Sequence, residues 1–430
     1  MTAPLRIAIA GLGTVGAGTL HVLQEQAALL EARCGRALEV IAVSARDPNK
    51  QRNAALGGIR WEKDALALAS AADIDVVVET IGGSEGIAAA LVTTALENGK
   101  SVVTANKALI ATHGTALVAL AEKKQVTLGF EAAVAGGIPI LKVLREGLAA
   151  NQFTKIIGIL NGTSNYILTR MANTGCAFQD ALDEAQALGY AEADPSFDVD
   201  GVDTAQKLAI LTSLAFGCPP NLGAVYVEGI RGITSRDMAF AAELGQSIKL
   251  LGITELTDHG IMQRVHPCML PANSPVGVDD VFNAIVVEGT SVGRLIMEGR
   301  GAGAGPTASS IVADLVDIAC MNRRAPFTLP TRELRALPVA PMDELSTRYY
   351  IRIGVIDQPG VLARVTAILG QEHISVESFL QHAHRPGENV QIVLTTHQTQ
   401  ESSLRRALST IAALDTVAES PTFIRMELHA

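Results

Sequence analysis

The stretch LRIAIAGLGTVG, residues 5 to 16, decides the fold of the first part of the chain. The apolar run Leu5 to Ala10 predicts a buried strand, and Thr19 to Ala32 has a helical pattern. Between these runs lies a GxGxxG motif that comprises Gly11, Leu12, Gly13, Thr14, Val15 and Gly16. In such a unit the first glycine permits a tight turn, the second lets backbone approach a pyrophosphate, and the third lets helix and strand pack closely. We expect a Rossmann-like nucleotide-binding domain, with an ordinary glycine turn as the alternative.

The second predicted strand, Leu38 to Val43, bears on the choice of cofactor because Arg46 follows it instead of an acidic residue. A carboxylate there would hold the ribose 2′-hydroxyl of NAD. A guanidinium, helped by Lys50 or Arg52, can instead bind the 2′-phosphate of NADP. The neighbouring Asp47 keeps NAD open, so the sequence favours NADP without excluding NAD.

Two more buried strands, Ile74 to Val78 and Ser101 to Thr104, fit a parallel sheet. Ligands of such sheets lie beyond the carboxyl ends of the strands. The candidate cofactor contacts at these strand ends are Thr80, Gly82, Thr104 and Lys107. For Lys107 the plainer alternative is a solvated lysine at the start of a helix.

The composition bounds the class of protein. A chain of 430 residues is too long for one core, so two or three domains are expected. The formal net charge is −10 without a basic run, so we expect neither nucleic acid nor an anionic membrane as partner. Five scattered cysteines suggest neither a disulfide framework nor a thiolate zinc site. With no recognisable signal peptide or membrane span, we expect a cytoplasmic protein.

Six further segments carry a family resemblance. They are VVTANKALI (102–110), FEAAVAGGIP (130–139), GILNGTSNYIL (158–168), ALGYAEADP (187–195), DVDGVDTAQKLAIL (198–211) and GRGAGAGPTA (299–308). Ordered in this way over residues 5 to 340, the chain resembles homoserine dehydrogenases. The resemblance implies hydride transfer between a nicotinamide cofactor and L-homoserine or L-aspartate 4-semialdehyde, in the biosynthesis of threonine, methionine and isoleucine. It also implies an α+β catalytic and dimerisation domain with a mixed sheet.

The resemblance assigns roles by position. It implies that Lys207 donates the proton to the aldehyde oxygen, that Asp203 orients substrate or water, and that Lys107 touches cofactor and substrate. Further implied substrate contacts are Glu192, Asp198, Gly162 and Thr163, and further implied cofactor contacts are Asn161 and Gly303. From spacing alone, Asp203 and Lys207 are a surface i,i+4 ion pair worth about 0.3–0.5 kcal/mol.

The segment around Asn161 has two interpretations. If Phe153 to Leu160 is a strand, Asn161 and Thr163 offer hydrogen bonds to a ligand where the strand ends, and Gly162 permits close approach. The alternative is a glycine turn capped by asparagine and threonine.

The family resemblance also implies a structural cation of the sodium type. Its ligands would be Glu131 and the carbonyls of Val134, Gly136 and Ile138, because glycine-rich backbone can turn oxygen ligands toward a hard cation. A plain interdomain hinge would explain the same glycines.

The last part of the chain resembles an ACT domain. Residues 331–346 contain prolines and predict a linker. After it, strands and helices follow in the order βαββαβ, with Asp357, Pro359 and Gly360 between the first strand and the first helix. The resemblance implies an amino-acid effector, threonine first, acting as feedback inhibitor, and pairing with a second copy. The alternative is a dimerising module without ligand.

These inferences predict an α/β chain of three domains. A Rossmann domain spans 1–135, with about 305–330 returning to it, a catalytic and dimerisation domain spans 136–304, and an ACT domain spans 347–430. The expected state is a homo-oligomer, a dimer or a tetramer. A phosphorylating semialdehyde dehydrogenase is disfavoured because Cys176 and Cys218 have no evident activating setting. The alternative of another class is an amino-acid-sensing regulator whose Rossmann domain is not catalytic.

Overall fold

The computed structural model describes residues 3–48, 50, 55–381 and 389–427. Arg52, predicted to help at the cofactor phosphate, lies outside these residues. Within this part of the chain, no helix is long and apolar enough to cross a membrane.

The first domain is a parallel sheet of six strands with helices packed around it. The strands are β1 (Leu5–Ala10), β2 (Leu38–Ser44), β3 (Arg60–Glu62), β4 (Val76–Glu79), β5 (Ser101–Thr104) and β6 (Leu128–Gly129). Their order is β3-β2-β1-β4-β5-β6, so the chain reverses direction across the sheet between β1 and β4. The loops after these two strands therefore flank the crevice where ligands of such folds bind.

The helices of this domain are α1 (Thr14–Glu25), α2 (Ala27–Cys34), α3 (Ala65–Ser70), α4 (Ile87–Glu97) and α5 (Lys107–Lys124). The single helix predicted over Thr19 to Ala32 is wrong, because the chain leaves helical geometry at Gln26 (φ −101°, ψ 16°) and α2 begins after it. Only Leu30 of α2 is buried, so tertiary packing does not hold the two helices in one line.

The middle of the chain builds a second sheet, covered by helices. Its strands are β7 (Phe153–Ile159), β8 (Val225–Val227), β9 (Gln246–Thr257), β10 (Gly260–Pro271), β11 (Phe282–Gly289) and β12 (Gly293–Arg300). Its helices are α6 (Ile140–Lys142), α7 (Gly162–Thr174), α8 (Phe178–Ala187), α9 (Ser196–Val199), α10 (Val202–Phe216) and α11 (Ser235–Glu243). A π-helical turn, Val143–Gly147, follows α6, and short 3-10 turns cover Glu131–Ala133 and Leu222–Ala224.

Helix α10 is the central helix of this domain. It packs against β9 and β10, and apolar residues such as Leu208 and Ile210 are fully buried around its circumference. Because almost no face of α10 meets water, its two charged residues, Asp203 and Lys207, are buried as well.

After β12 the chain returns to the first domain through α12 (Ala304–Ala319). Ile311 and Leu315 of α12 lie in the same apolar core as Ile7 and Leu20. The backbone of α1 approaches α12 so closely at Gly18 that an added Cβ would lie 2.8 Å from the Ala304 carbonyl oxygen. Helix α12 therefore ties the catalytic sheet to the nucleotide-binding unit.

The C-terminal domain has the βαββαβ order that the sequence predicts, with one added short strand. Its elements are β13 (Ser346–Ile356), α13 (Val361–Gln371), β14 (Val376–Gln381), β15 (Asn389–Thr396), β16 (Thr399–Gln400), α14 (Glu401–Ala412) and β17 (Val417–Met426). The connector before it contains two 3-10 turns, Thr331–Glu333 and Met342–Glu344.

The C-terminal strands extend the catalytic sheet. Strand β17 pairs in parallel with β10, with Cys268 opposite Arg425 and Met269 opposite Met426. The result is one sheet of eleven strands, in the order β12-β11-β7-β9-β10-β17-β13-β15-β14 with β8 and β16 at its side. The sequence did not predict this continuity.

Candidate active site

The glycine-rich turn has the geometry that its three glycines require. Gly11 has φ +95°, a region that favours glycine. A Cβ added at Gly16 would lie 1.9 Å from the Gly11 carbonyl oxygen, whereas one at Gly13 would meet nothing within 4 Å. The Thr80 hydroxyl donates to the same Gly11 carbonyl at 2.7 Å and holds the turn against the next loop. Gly13 is thus the open position, where a phosphate can approach backbone.

A cavity of about 680 Å³ lies at the carboxyl ends of β1, β2 and β4. The predicted cofactor residues that line it are Gly11, Leu12, Gly13, Arg46, Thr80 and Gly82. Lys50 and Asp47 line it too, as does Lys63, which the sequence analysis missed. Lys63 follows β3, and only the pairing of β3 beside β2 brings it to the cavity. Three cationic side chains and one carboxylate therefore surround its rim.

A second cavity, of about 490 Å³, lies between the nucleotide-binding unit and the catalytic sheet. The predicted residues that line it are Val15, Lys107, Asn161, Gly162, Thr163, Asp198, Asp203, Lys207 and Gly303. The structure thus brings together residues that lie as much as 288 positions apart in the chain, from Val15 to Gly303.

Asp203 is the centre of this group. Its Oδ1 lies 3.1 Å from Nζ of Lys107, and its Oδ2 lies 2.7 Å from Nζ of Lys207. Burial by itself would raise the pKa of Asp203, but the two ammonium groups and a hydrogen bond from Asn161 lower it to about 2. Asp203 is therefore an anion that fixes two lysine side chains.

Lys207 is held in the protein interior. Besides Asp203, its Nζ donates to the carbonyl oxygen of Leu160 at 2.6 Å. An ammonium group has three N–H donors, so one remains for a ligand in the cavity. The surface ion pair that spacing alone suggests is wrong, because Lys207 is 9% exposed and Asp203 is 4% exposed.

Lys107 is the first residue of α5, and the helix start positions it. The side chain of Asn106 accepts from the Leu109 N–H and caps the helix. The Lys107 ammonium lies 5.5 Å from the ring centroid of Phe197, which comes from α9. Lys107 thus extends from the nucleotide-binding sheet to the catalytic side chains.

A buried carboxylate shapes the two loops beside Lys107. Glu79 Oε1 accepts from the N–H groups of Ile81 and Gly82, and the Thr104 hydroxyl donates to Glu79 Oε2 at 2.5 Å. Thr104 also accepts from the Asn106 N–H. Thr104 is fully buried and lies outside the lining of both cavities, so it supports the loops rather than facing them.

Asn161 caps a helix and also contacts the acidic side chains of the cavity. Strand β7 ends at Ile159, and the Asn161 side chain caps α7 by accepting from the Ser164 N–H at 2.8 Å. Its Nδ2 donates to Asp198 and to Asp203, at 2.8 Å each. Both interpretations of the segment are therefore partly correct, because Asn161 caps α7 and also lines the cavity.

The two residues that follow lie where the sequence placed them. The Thr163 hydroxyl donates to the Tyr190 carbonyl at 2.8 Å. A Cβ added at Gly162 would lie 2.9 Å from the Val281 carbonyl oxygen, so the backbone passes close to its neighbour there.

The two acidic candidates for the substrate ammonium differ in position. Asp198 is half-buried, and its pKa is raised by burial and by the nearby Asp203, against the hydrogen bond from Asn161. Glu192 lies exposed in the loop between α8 and α9 and is outside the cavity lining. The same loop contributes Gly189 and Tyr190 to the cavity. The structure brings Asp198 to the lysines but leaves Glu192 apart.

Glu131, a predicted cation ligand, is hydrogen-bonded to main-chain N–H groups in this structure. Glu131 is buried, and its two carboxylate oxygens accept from the N–H groups of Leu141 and Lys142. Burial and the nearby Asp314 raise the pKa of Glu131 to about 8. Nowhere among the described residues do three His, Cys, Asp or Glu side chains form a metal-binding group.

The carbonyls of this turn are partly engaged. The Gly136 carbonyl accepts from the Ser310 hydroxyl at 2.5 Å, and the Ile138 carbonyl accepts from the Ile140 N–H. A carbonyl oxygen has a second lone pair. The cation with Glu131 and the carbonyls of Val134, Gly136 and Ile138 as ligands thus stays a prediction.

Comparisons with known proteins agree with this architecture. A homoserine dehydrogenase family model matches residues 139–316, the NAD-binding domain of homoserine dehydrogenase matches 11–131, and an ACT domain matches 349–416. The homoserine dehydrogenase of Neisseria gonorrhoeae is 46% identical over 434 residues, which cover 99% of either chain.

Solved structures extend the comparison. A crystal structure of a homoserine dehydrogenase from Thiobacillus denitrificans has a TM-score of 0.93 at 44% identity over 99% of both chains. A hyperthermophilic archaeal homoserine dehydrogenase in complex with NADPH has a TM-score of 0.63 at 26% identity, covering 75% of this chain and 99% of that one. The predicted Rossmann, mixed-sheet and ACT units are confirmed, and an enzyme is favoured over a non-catalytic sensor. The chain belongs to the homoserine dehydrogenase family, whose members are oxidoreductases with a nicotinamide-binding domain.

Proposed function

We propose that this enzyme interconverts L-aspartate 4-semialdehyde and L-homoserine, with NADP preferred over NAD, in the branch of metabolism that leads to threonine, methionine and isoleucine. The observation that carries the proposal is the cavity in which Lys107 and Lys207 share the buried carboxylate of Asp203. A carbonyl oxygen that becomes an alkoxide needs cationic donors and one proton, and this arrangement supplies both.

The amino-acid end of the substrate binds on the acidic side of the cavity. Asp198 accepts the ammonium group, and Thr163 with Gly162 forms the wall beside it. Glu192 is a second proposed partner of the ammonium group, from the loop that also contributes Gly189 and Tyr190 to the cavity. With its ammonium end bound there, the substrate extends so that its aldehyde carbon lies near Lys107 and Lys207.

Proton transfer takes place at Lys207. When bound, a nicotinamide cofactor would supply the hydride to the aldehyde carbon or, in the reverse direction, accept it from the hydroxyl-bearing carbon of homoserine. The free N–H of Lys207 donates its proton to the aldehyde oxygen, and neutral Lys207 then regains a proton from water. Lys107 stabilises the developing oxyanion with its charge, and Asp203 keeps both ammonium groups aimed at the same oxygen.

The rim of the larger cavity supports NADP. Arg46, Lys50 and Lys63 offer positive charge to a 2′-phosphate, against the single carboxylate of Asp47. Arg46→Ala and Lys63→Ala should each raise KM for NADP about tenfold and leave KM for NAD within twofold. Lys123→Ala, at the far end of α5, is the control for charge alone. Equal effects on both cofactors would contradict the NADP preference.

The ACT domain supports feedback inhibition by an amino acid, threonine first. Gly360 has φ +90° and precedes α13, where backbone N–H groups can hold a carboxylate. Thermal unfolding measured with threonine, methionine, isoleucine and lysine identifies the effector. If none of the four changes the midpoint, the domain is a structural module.

The remaining proposals concern assembly and ions. The enzyme is a cytoplasmic homo-oligomer, and sedimentation equilibrium distinguishes a dimer from a tetramer. A structural sodium ion at Glu131 and the carbonyls of Val134, Gly136 and Ile138 would raise the thermal midpoint in sodium relative to a bulky organic cation.

The direct test of the proposed function is a spectrophotometric assay. With L-homoserine and NADP, absorbance of the reduced cofactor should appear at a rate that saturates with homoserine. No turnover with either NADP or NAD would contradict the proposal.

A further inference from the structure

Asn161 is 5% exposed, and its side-chain amide forms three hydrogen bonds within the protein. Its Oδ1 accepts from the Ser164 N–H, and its two amide hydrogens go to two different carboxylates, Asp198 and Asp203. An amide has only two such donors. None remains for cofactor or substrate, so this amide donates no hydrogen bond to either ligand in this arrangement.

The two carboxylates need such a bridge. Both are anionic near neutral pH if Asp198 is to hold an ammonium, and like charges in a buried site repel. The charged groups that face Asp198 are Asp203 and Lys207 from α10 and, beyond Asp203, Lys107 from α5. The amide of Asn161 stands between the two anions and donates to each, which offsets part of the repulsion.

The bridge also sets geometry. Asn161 is fixed at the start of α7, Asp198 belongs to α9, and Asp203 belongs to α10. Through one planar amide, the carboxylate that would bind the ammonium end is held at a set distance from the carboxylate that aims the lysines. The spacing between these groups must match the length of the amino-acid substrate.

We propose that Asn161 is a positioning residue that joins the ammonium-binding carboxylate to the lysine-orienting carboxylate and so couples recognition of the substrate to proton transfer. This inference rests on the proposed function. It assigns to Asn161 no contact with substrate or cofactor, and it separates the role of Asn161 in the site from its role as a helix cap.

The two roles respond differently to two substitutions. Asn161→Ser keeps a capping oxygen but has no amide, and Asn161→Asp keeps the cap, which aspartate makes as well as asparagine. Asn161→Asp also places a third carboxylate against Asp198 and Asp203. If capping were the whole role, Asn161→Asp would behave as the wild type. If the amide bridge matters, Asn161→Asp is the worse of the two variants.

The measurement is the pH dependence of kcat/KM for homoserine, with cofactor dissociation constants measured by fluorescence. We expect kcat/KM at neutral pH to fall at least tenfold for Asn161→Ser and further for Asn161→Asp, through a higher KM for homoserine and a lower kcat. The acidic limb should move upward by about one pH unit, because the hydrogen bond from Asn161 lowers the pKa of Asp198. Cofactor binding should stay within twofold.

The matched control is Asn165→Ser, one turn further along α7. Asn165 is equally buried, but its amide donates to the carbonyls of Val278 and Phe282 instead of to carboxylates. The Asn165→Ser substitution should lower the midpoint of thermal unfolding without changing the pH dependence of kcat/KM.

Three outcomes overturn the inference. Wild-type kcat/KM and pH profile in Asn161→Asp would do so, as would equal losses in Asn161→Ser and Asn165→Ser with no shift of the acidic limb. A wild-type enzyme without turnover overturns the proposed function and this inference together, whereas an active wild type with unaffected Asn161 variants overturns this inference alone.

Discussion

Asp203→Asn tests how strongly the buried anion holds the site together. Lowering the pKa of Asp203 from 3.8 to about 2 corresponds to about 2 to 3 kcal/mol in favour of the ionised form in the folded protein. A pKa lowered on folding contributes stability above the pKa of the unfolded chain, near 4, and that stability is lost as pH falls toward 2. The neutral variant should therefore be less stable by about 2 to 3 kcal/mol at pH 7 and equally so at pH 5.

The assay is urea-induced unfolding followed by circular dichroism at pH 7 and pH 5. The matched control is Asp200→Asn, because Asp200 lies three residues before Asp203 but pairs at the surface with Arg231. An exposed ion pair contributes little, so its loss should change stability far less. Equal effects of the two substitutions, or a destabilisation by Asp203→Asn that disappears at pH 5, would refute the reasoning. The variant should also lose kcat, because Lys107 and Lys207 lose their common partner.

Two other predictions concern the glycine-rich turn at residues 11 to 16 and the contact between α11 and the ACT domain. Gly16→Ala should weaken binding of the reduced cofactor at least tenfold in a fluorescence titration, because the added Cβ would lie 1.9 Å from the Gly11 carbonyl oxygen. The control Gly57→Ala, at a position with open space around it, should bind the cofactor normally. Equal affinities of the two variants would contradict this prediction. Asp237→Ala removes the buried partner of Arg352 and should destabilise the contact between α11 and the ACT domain by about 3–5 kcal/mol. Limited proteolysis should then release the C-terminal domain. An unchanged digestion pattern would contradict this prediction.

Features that depend on local chain geometry were predictable from the sequence. The three glycines of residues 11 to 16 have distinct backbone demands: the structure has the tight turn at Gly11 and the close approach at Gly16, and it leaves open space at Gly13. Asp203 and Lys207 are four residues apart on one helix, so their contact followed from helical periodicity. Their burial did not follow, because it depends on how α10 packs against the sheet.

Features that depend on distant parts of the chain were not predictable. The pairing of β17 with β10 joins segments more than 150 residues apart, and neither strand has a pattern that names its partner. Lys63 reaches the cofactor cavity only because β3 pairs with β2. The donors of Asn161 meet carboxylates that follow it by 37 and 42 positions, so composition alone could not assign the bridge.

The continuity of the large sheet has a consequence for regulation. Arg425 of β17 is buried and pairs with Glu401 of α14 and Glu228 of the catalytic domain, and Arg264 of β10 pairs with Glu427. A shift of the ACT strands would change these pairs and so reach β10, on which α10 packs. Packed strands and buried ion pairs thus lie between the ACT domain and the helix that contains Lys207.

The central claim is that the ammonium group of Lys207, on α10, supplies the proton for a reaction in which the hydride comes from the nicotinamide cofactor. The most direct measurement is single-turnover reduction of L-aspartate 4-semialdehyde by Lys207→Ala, alongside its dissociation constant for NADPH. We predict a rate at least 10³-fold below the wild type, with the dissociation constant unchanged within twofold. A variant that keeps the wild-type rate would contradict the account.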